Sequence, residues 1–173
     1  MQLASAQNVD YPIAKVSFED FKALVDKVEP YRQERLIDLD AFLAMSQEEN
    51  TIILDTRSDF RFERKHIKGS KHLAFTDFTQ TNLMALIPDP NTRILIYCNN
   101  NFEGDELDFA SKMAGPATVS TNQFASQAKP VMLALNIPTF INLYGYGYRN
   151  VYELYELVNV SDPRIHFAGS TVQ

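Results

Sequence analysis

Cys98 is the one cysteine of the chain, and its setting admits chemistry as well as simple packing. It follows the apolar run Arg93-Ile94-Leu95-Ile96-Tyr97 and precedes Asn99, Asn100, Asn101, Phe102 and Glu103, which are polar except for Phe102. The first stretch reads as a buried strand and the second as a loop. In open parallel α/β sheets, ligand sites form beyond the carboxyl ends of the strands. A cysteine there can meet backbone N–H groups of the loop and of a following helix, whose partial positive charge favours thiolate over thiol. The same groups would stabilise an anionic persulfide or a bound oxyanion. The competing reading is a small apolar residue packed at a strand end, since free cysteine is among the most buried residue types.

The remaining candidates are sparser. Asp55 and Arg57 follow the apolar run Thr51–Leu54 and read as a strand-end ion pair. His66, His72 and His166 are scattered, without the clustered His and Cys spacing of a zinc site, so no metal and no cofactor is expected. A lone cysteine closes no internal disulfide. The net charge of −6 argues against a nucleic-acid partner. The densest basic stretch, Arg61 to Lys71, is interrupted by an acidic residue and reads as a solvated helix and turn. No apolar run approaches the roughly 18 residues of a membrane span, so an integral membrane protein is not expected. Ala4-Ser5-Ala6 before Gln7 has the small-x-small form of a signal-peptidase site, but the charged and apolar regions that precede such a site are missing. A trimmed leader and chance fit equally, and both cytoplasm and periplasm stay open. The sequence carries no signal of oligomeric state.

The elements that must position these residues alternate. Ser17 reads as the N-cap of a helix carrying Phe18, Phe21, Leu24, Val25 and Val28, stopped by Pro30. Leu36-Ile37 reads as a short strand, and Asp38 as the cap of a helix with Leu39, Phe42, Leu43 and Met45. Thr51–Leu54 is a buried strand. Ser58 caps a helix reaching Lys65, Leu73–Phe75 is a short strand, and a helix with Leu83, Met84 and Leu86 ends at Pro88-Asp89-Pro90. Gly104–Phe109 suggests a short capped helix and Gly115-Pro116 a break. Val131–Leu135 reads as the end of a helix closed at Asn136, Thr139–Leu143 as a strand before the Gly145-Tyr146-Gly147 turn, Val151–Val158 as an amphipathic helix, and Ile165–Phe167 as a last strand. The tyrosines at 144, 146, 148, 152 and 155 suit a core or an interface, with the core favoured. Alternating strands and helices imply an α/β fold: a mainly parallel sheet with helices on both faces.

Taken in order, these pieces resemble the rhodanese-like domain family. Asp55-Thr56-Arg57, Phe62, His66-Ile67-Lys68-Gly69-Ser70 and the strand ending in Cys98 match that family's Asp-x-Arg strand end, its acidic-aromatic pair, its Gly-His-Ile-x-Gly-Ala turn and its catalytic-cysteine loop. The stretch Asn136–Gly145 resembles the family's last core strand and its turn. The resemblance runs over about residues 35–158. It implies residues 1–34 as an N-terminal extension with one helix and 35–173 as a rhodanese-like domain. There are departures. Arg61 stands where the family has Glu, Lys65 replaces the Gly before His66, and Tyr146 replaces the second turn Gly. Between Cys98 and Asn136 lie 37 residues, about twenty more than the resemblance implies, which suggests an insert at about 99–120.

The resemblance implies Cys98 as a sulfur-carrying nucleophile, with Asn99 to Glu103 as the substrate-binding loop and Asp55, Arg57 and His66 as scaffold. The activity it implies is sulfurtransfer: sulfane sulfur passes from a small sulfur-containing donor, through a Cys98 persulfide, to a thiol or other thiophilic acceptor. The alternative is a rhodanese-like binding or regulatory module without transfer activity, which the insert and the acidic Glu103 and Asp105 favour. A cysteine phosphatase on the related fold would need an Arg five or six residues past the Cys to clamp phosphate, and Glu103 and Gly104 stand there.

Overall fold

Hydrophobic runs and caps fix most elements of the computed structural model, which describes residues 11–114 and 131–172. Ser17 accepts from the Asp20 N–H and starts α1 (Phe18–Gln33). β1 (Leu36–Ile37) follows, and Asp38 caps α2 (Leu39–Ser46) by accepting from the Ala41 N–H. Next come β2 (Thr51–Asp55), α3 (Asp59–Arg64), β3 (His66–Ile67), β4 (Lys71–His72), α4 (Gln80–Leu86) and β5 (Arg93–Tyr97). The rest comprises β6 (Phe102–Glu103), β7 (Met113–Ala114), β8 (Val131–Met132), α5 (Asn136–Gly145), β9 (Val151–Leu154), β10 (Val158–Asn159) and β11 (Phe167–Ala168).

Five strands form one sheet in the order β1-β9-β5-β2-β4, and every pairing in it is parallel. Period-two alternation sends successive side chains to opposite faces. Leu54, Ile94, Ile96 and Val151 meet Val28 of α1, Leu83 of α4 and Phe140 of α5 on one face. Leu95, Tyr97 and Leu154 meet Leu39 and Phe42 of α2 on the other, together with Phe102, Phe109 and Ile165. The α/β fold with a mainly parallel sheet and helices on both faces is therefore the one the sequence implies, with β2 and β5 at its centre.

Several elements differ from the sequence reading. Pro30 lies inside α1 instead of ending it. The turn beyond it is held by tertiary contacts: Arg32 clamps Glu153 of β9 at 2.5 and 2.6 Å, and the Tyr31 hydroxyl donates to the Arg149 carbonyl at 2.7 Å. Thr139–Leu143 is the middle of α5, not a strand. Pro138 falls in the first helical turn, where its missing N–H has no intrahelical acceptor to lose, and the apolar residues behind it fit helical spacing. Val151–Val158 is not a helix but β9 and β10; Val151, Leu154 and Val158 are all buried, at a spacing that mimics one helix face.

The strand expected at Leu73–Phe75 is instead β4, two residues earlier, and a 3-10 turn occupies Phe75–Asp77. Gly104–Phe109 makes one turn, closed by the Phe109 N–H to the Asp105 carbonyl at 2.8 Å, rather than a capped helix. Val131–Leu135 does not close a helix: β8 pairs antiparallel with β7, and Asn136 begins α5. The last strand is β11, antiparallel to β3, so Ile165 and His166 precede it. Ala4-Ser5-Ala6 and Gly115-Pro116 lie outside the described residues. Among the described residues no helix is long and apolar enough to cross a membrane.

Candidate active site

β5 is flanked on both sides by parallel strands, and Cys98 is the first residue past its carboxyl end. The Cys98 N–H donates to Asn101 Oδ1 at 2.8 Å, and the Asn101 N–H returns a bond to the Cys98 carbonyl at 3.1 Å. This reciprocal pair closes the 3-10 turn Asn99–Asn101. Asn101 also receives Asn136 Nδ2 at 2.8 Å and donates to the carbonyls of Leu154 at 2.7 Å and Glu156 at 3.2 Å. One buried amide thereby ties the ends of β5 and β9 to the start of α5.

The Cys98 thiol is fully buried. The Leu135 N–H, at the N-terminus of α5, points at Sγ across 3.3 Å. Burial pushes the thiol up from its ordinary value; the N–H groups of Leu135 and Asn99 and the Lys112 ammonium pull it back, while Asp55 adds to the rise. Burial wins, so the resting group is the neutral thiol.

The five residues expected as a substrate loop do not act as one unit. Asn101 is scaffold. Asn100 exchanges bonds with the Lys112 backbone, donating to its carbonyl at 3.2 Å and accepting from its N–H at 2.7 Å. Asn99 is buried, with its Oδ1 unpartnered. Phe102 packs in the core against Tyr97 and Phe109, and Glu103 sits exposed on β6 beside β10. Asn99 lines a cavity of about 190 Å³ together with Arg57, Ser58, Arg61, Ser111 and Lys112. Three of these side chains are cationic, and among the described residues no carboxylate lines the cavity. Glu103 and Asp105, which would repel an anion, do not line it. Asp105 pairs instead with Lys65 at 3.0 Å; although burial opposes it, that ion pair and the N–H of Asp108 hold its carboxyl below its ordinary value.

Asp55 and Arg57 form a buried pair at the end of β2, with Arg57 Nη2 2.7 Å from Asp55 Oδ2 and the Arg57 N–H donating to Asp55 Oδ1 at 2.9 Å. Arg57 also donates to the carbonyls of Lys65 at 2.6 Å and Asp108 at 3.2 Å, and stacks over Phe109 at 4.6 Å. Burial works against the guanidinium, but Asp55 outweighs it and raises the Arg57 pKa. The Tyr97 hydroxyl donates to Asp55 and accepts from the Ile67 N–H at 3.1 Å, and burial with Asp55 pushes it far above its ordinary value. His66 opens β3, just before the Lys68–Ser70 turn: Nδ1 is 2.7 Å from the Phe62 carbonyl, and its ring stacks on Phe62.

The sequence did not single out His72, whose Nδ1 lies 3.0 Å from the Asp55 carbonyl and whose Nε2 lies 2.8 Å from Asp59. Nor did it single out Lys112, Leu135, Asp108 or the Tyr97 hydroxyl. Tyr97 had a visible signal: a phenol at the end of a buried strand needs a polar partner.

A family model described as the rhodanese-like domain matches residues 38–154. No curated protein sequence matches the chain. Among solved structures, a rhodanese with anions from E. coli is similar at 13% identity, covering 69% of this chain and 99% of that one with a TM-score of 0.40. The BH2092 protein from Bacillus halodurans is similar at 18% identity, covering 79% of this chain and 73% of that one with a TM-score of 0.41. The family match takes in β2, the Asp55–Arg57 pair, His66, β5, Cys98, α5 and β9, and the chain belongs to the rhodanese-like domain family.

Proposed function

We propose that the chain is a sulfurtransferase that carries sulfane sulfur on Cys98. The Cys98 thiol loses its proton to solvent or to the donor's base. The thiolate then attacks the donor's outer sulfur: a new S–S bond forms, and the donor's bond to that sulfur breaks, its electron pair leaving with the donor. A thiophilic acceptor next attacks the outer sulfur of the persulfide and releases the Cys98 thiolate. The observation that supports this reading is the cavity beside Asn99, where Arg61 and Lys112 converge, Arg57 being held behind them by Asp55, and where no carboxylate of the described residues lines the wall. It suits an anionic donor, and the Leu135 N–H suits the charge that develops on sulfur. Because Sγ is buried, transfer starts from a form in which Sγ has become exposed.

Intact-mass measurement after exposure to thiosulfate or mercaptopyruvate tests the reading. A gain of one sulfur atom, absent from Cys98→Ser and reversed by a thiol acceptor, is the expected result. An unchanged mass with both donors refutes it.

The full burial of Cys98 is the one observation that fits a second reading, a binding or regulatory module in which Cys98 is a packing residue. In that case Cys98→Ala keeps the fold and the protein's partners.

A further inference from the structure

On the α2 face of the sheet, a second cavity of about 260 Å³ lies beneath α2, over the amino-terminal half of β2. Its floor is hydrocarbon, from Leu43, Ile53 and Ile67, backed by the buried ring of Phe42. Its charged lining is of one sign: Lys68, Lys71 and Arg164. Among the described residues no carboxylate lines it, in a chain whose net charge is −6. Arg164 is already neutralised by Asp162 at 2.7 Å and Asp40 at 2.5 Å. Lys68 and Lys71 have no ion-pair partner among the described residues, so the positive field at the mouth is theirs.

The walls are anchored. The Lys68 N–H donates to the His166 carbonyl at 2.8 Å, and β3 pairs with β11 just beyond. The turn that presents both lysines closes through the Ser70 N–H to the Ile67 carbonyl at 3.0 Å, and it requires Gly69, whose φ is +87°. The cavity shares no residue with the one beside Asn99.

From this juxtaposition of an apolar floor and two unpaired ammonium groups, we infer that the cavity is a binding site for a small amphipathic carboxylate. Its hydrocarbon body lies on Leu43, Ile53 and Ile67, and its carboxylate meets Lys68 and Lys71. The volume falls just below the roughly 300–1,000 Å³ of sites for drug-sized ligands, which selects a medium-length chain over a long one. Each methylene moved out of water contributes to affinity, and the lysines distinguish the acid from its neutral analogue. The site does not depend on the reactivity of Cys98.

The test is titration of the full chain with octanoate and with octanol, followed by amide chemical shifts, and repeated on the Lys68→Glu/Lys71→Glu variant. Octanoate is expected to bind saturably and to shift the amides of Leu43, Ile53, Lys68 and Lys71. Octanol on the wild type and octanoate on the variant are each expected to bind at least about tenfold more weakly. No saturable binding, shifts confined to other parts of the sheet, or equal affinity for acid and alcohol overturns the proposal. So does unchanged octanoate affinity in the folded variant. If that variant misfolds, the acid-to-alcohol comparison on the wild type decides.

Discussion

The Leu135 N–H reaches Cys98 Sγ across 3.3 Å from 37 residues further along the chain. It is a weak counterweight to a buried environment, and the balance has a consequence in pH. The folded state holds the Cys98 proton more tightly than the unfolded chain does. The stability this contributes is complete below the unfolded thiol pKa of about 8.5, and it fades as pH rises through the higher folded value. Cys98→Ser removes that titration, so the difference in stability between wild type and variant is expected to shrink on the alkaline side. Alkylation of the wild type is expected to be slow at neutral pH and to accelerate only above the ordinary thiol range. Denaturation midpoints and iodoacetamide rates across pH check both, and fast alkylation at pH 7 would contradict the burial argument.

Arg57→Ala strips the buried Asp55 of its counter-ion and leaves the Lys65 and Asp108 carbonyls without their donor. Breaking one side of a buried ion pair costs about 3–5 kcal/mol. A urea unfolding curve is expected to show a loss of that size. Arg57→Lys keeps the charge but cannot span both carbonyls, and it is expected to fall between the two.

Asn101→Ala removes an acceptor from the Cys98 N–H and a donor from the carbonyls of Leu154 and Glu156. Buried polar groups left unpaired cost about 1–3 kcal/mol. The same change frees the turn after Cys98. Lower stability is therefore expected together with faster alkylation of the thiol, and stability loss without a change in alkylation would separate the turn from thiol access.

Gly169 has φ +127°, and a Cβ there would stand 2.3 Å from the Arg64 carbonyl oxygen. That carbonyl also receives the Thr171 N–H at 3.0 Å and its hydroxyl at 2.8 Å. Gly169→Ala is expected to cost about 1–3 kcal/mol of backbone strain and to detach the segment from α3. Hydrogen exchange at the Ser170 and Thr171 amides reads the detachment directly.

The centre of the fold was legible because its signals are local. Thr51–Leu54 and Arg93–Tyr97 are short apolar runs with polar ends, and Asp38 and Ser17 cap their helices in the expected way. The stretch 136–158 was misread because its spacing satisfies two periods. Phe140, Ile141, Leu143 and Tyr144 resemble a buried strand when read consecutively, while Val151, Leu154 and Val158 resemble a helix face. Only pairing with β5 and β1 settles β9 as a strand. At the site, Cys98 and the Asp55–Arg57 pair announced themselves by type and position. Lys112, Asp108 and Leu135 did not, because no local pattern announces them: they meet the site through backbone groups brought from other segments and, for Lys112, through its ammonium charge as well.

The two outermost strands, β1 and β4, pair along only two residues each, while the five-residue β2 and β5 lie inside the sheet. Short borders leave few unsatisfied peptide groups for another chain to template on, and Lys71 places a charge on one of them. The segments with the strongest β character, Thr51–Asp55 and Arg93–Tyr97, are walled in on both sides by hydrogen-bonded neighbours. Among the described residues, amyloid-type association through the central sheet therefore finds only two-residue borders to grow from. Its two strongest strands become available for that pairing only when they separate, so association through them is governed by unfolding.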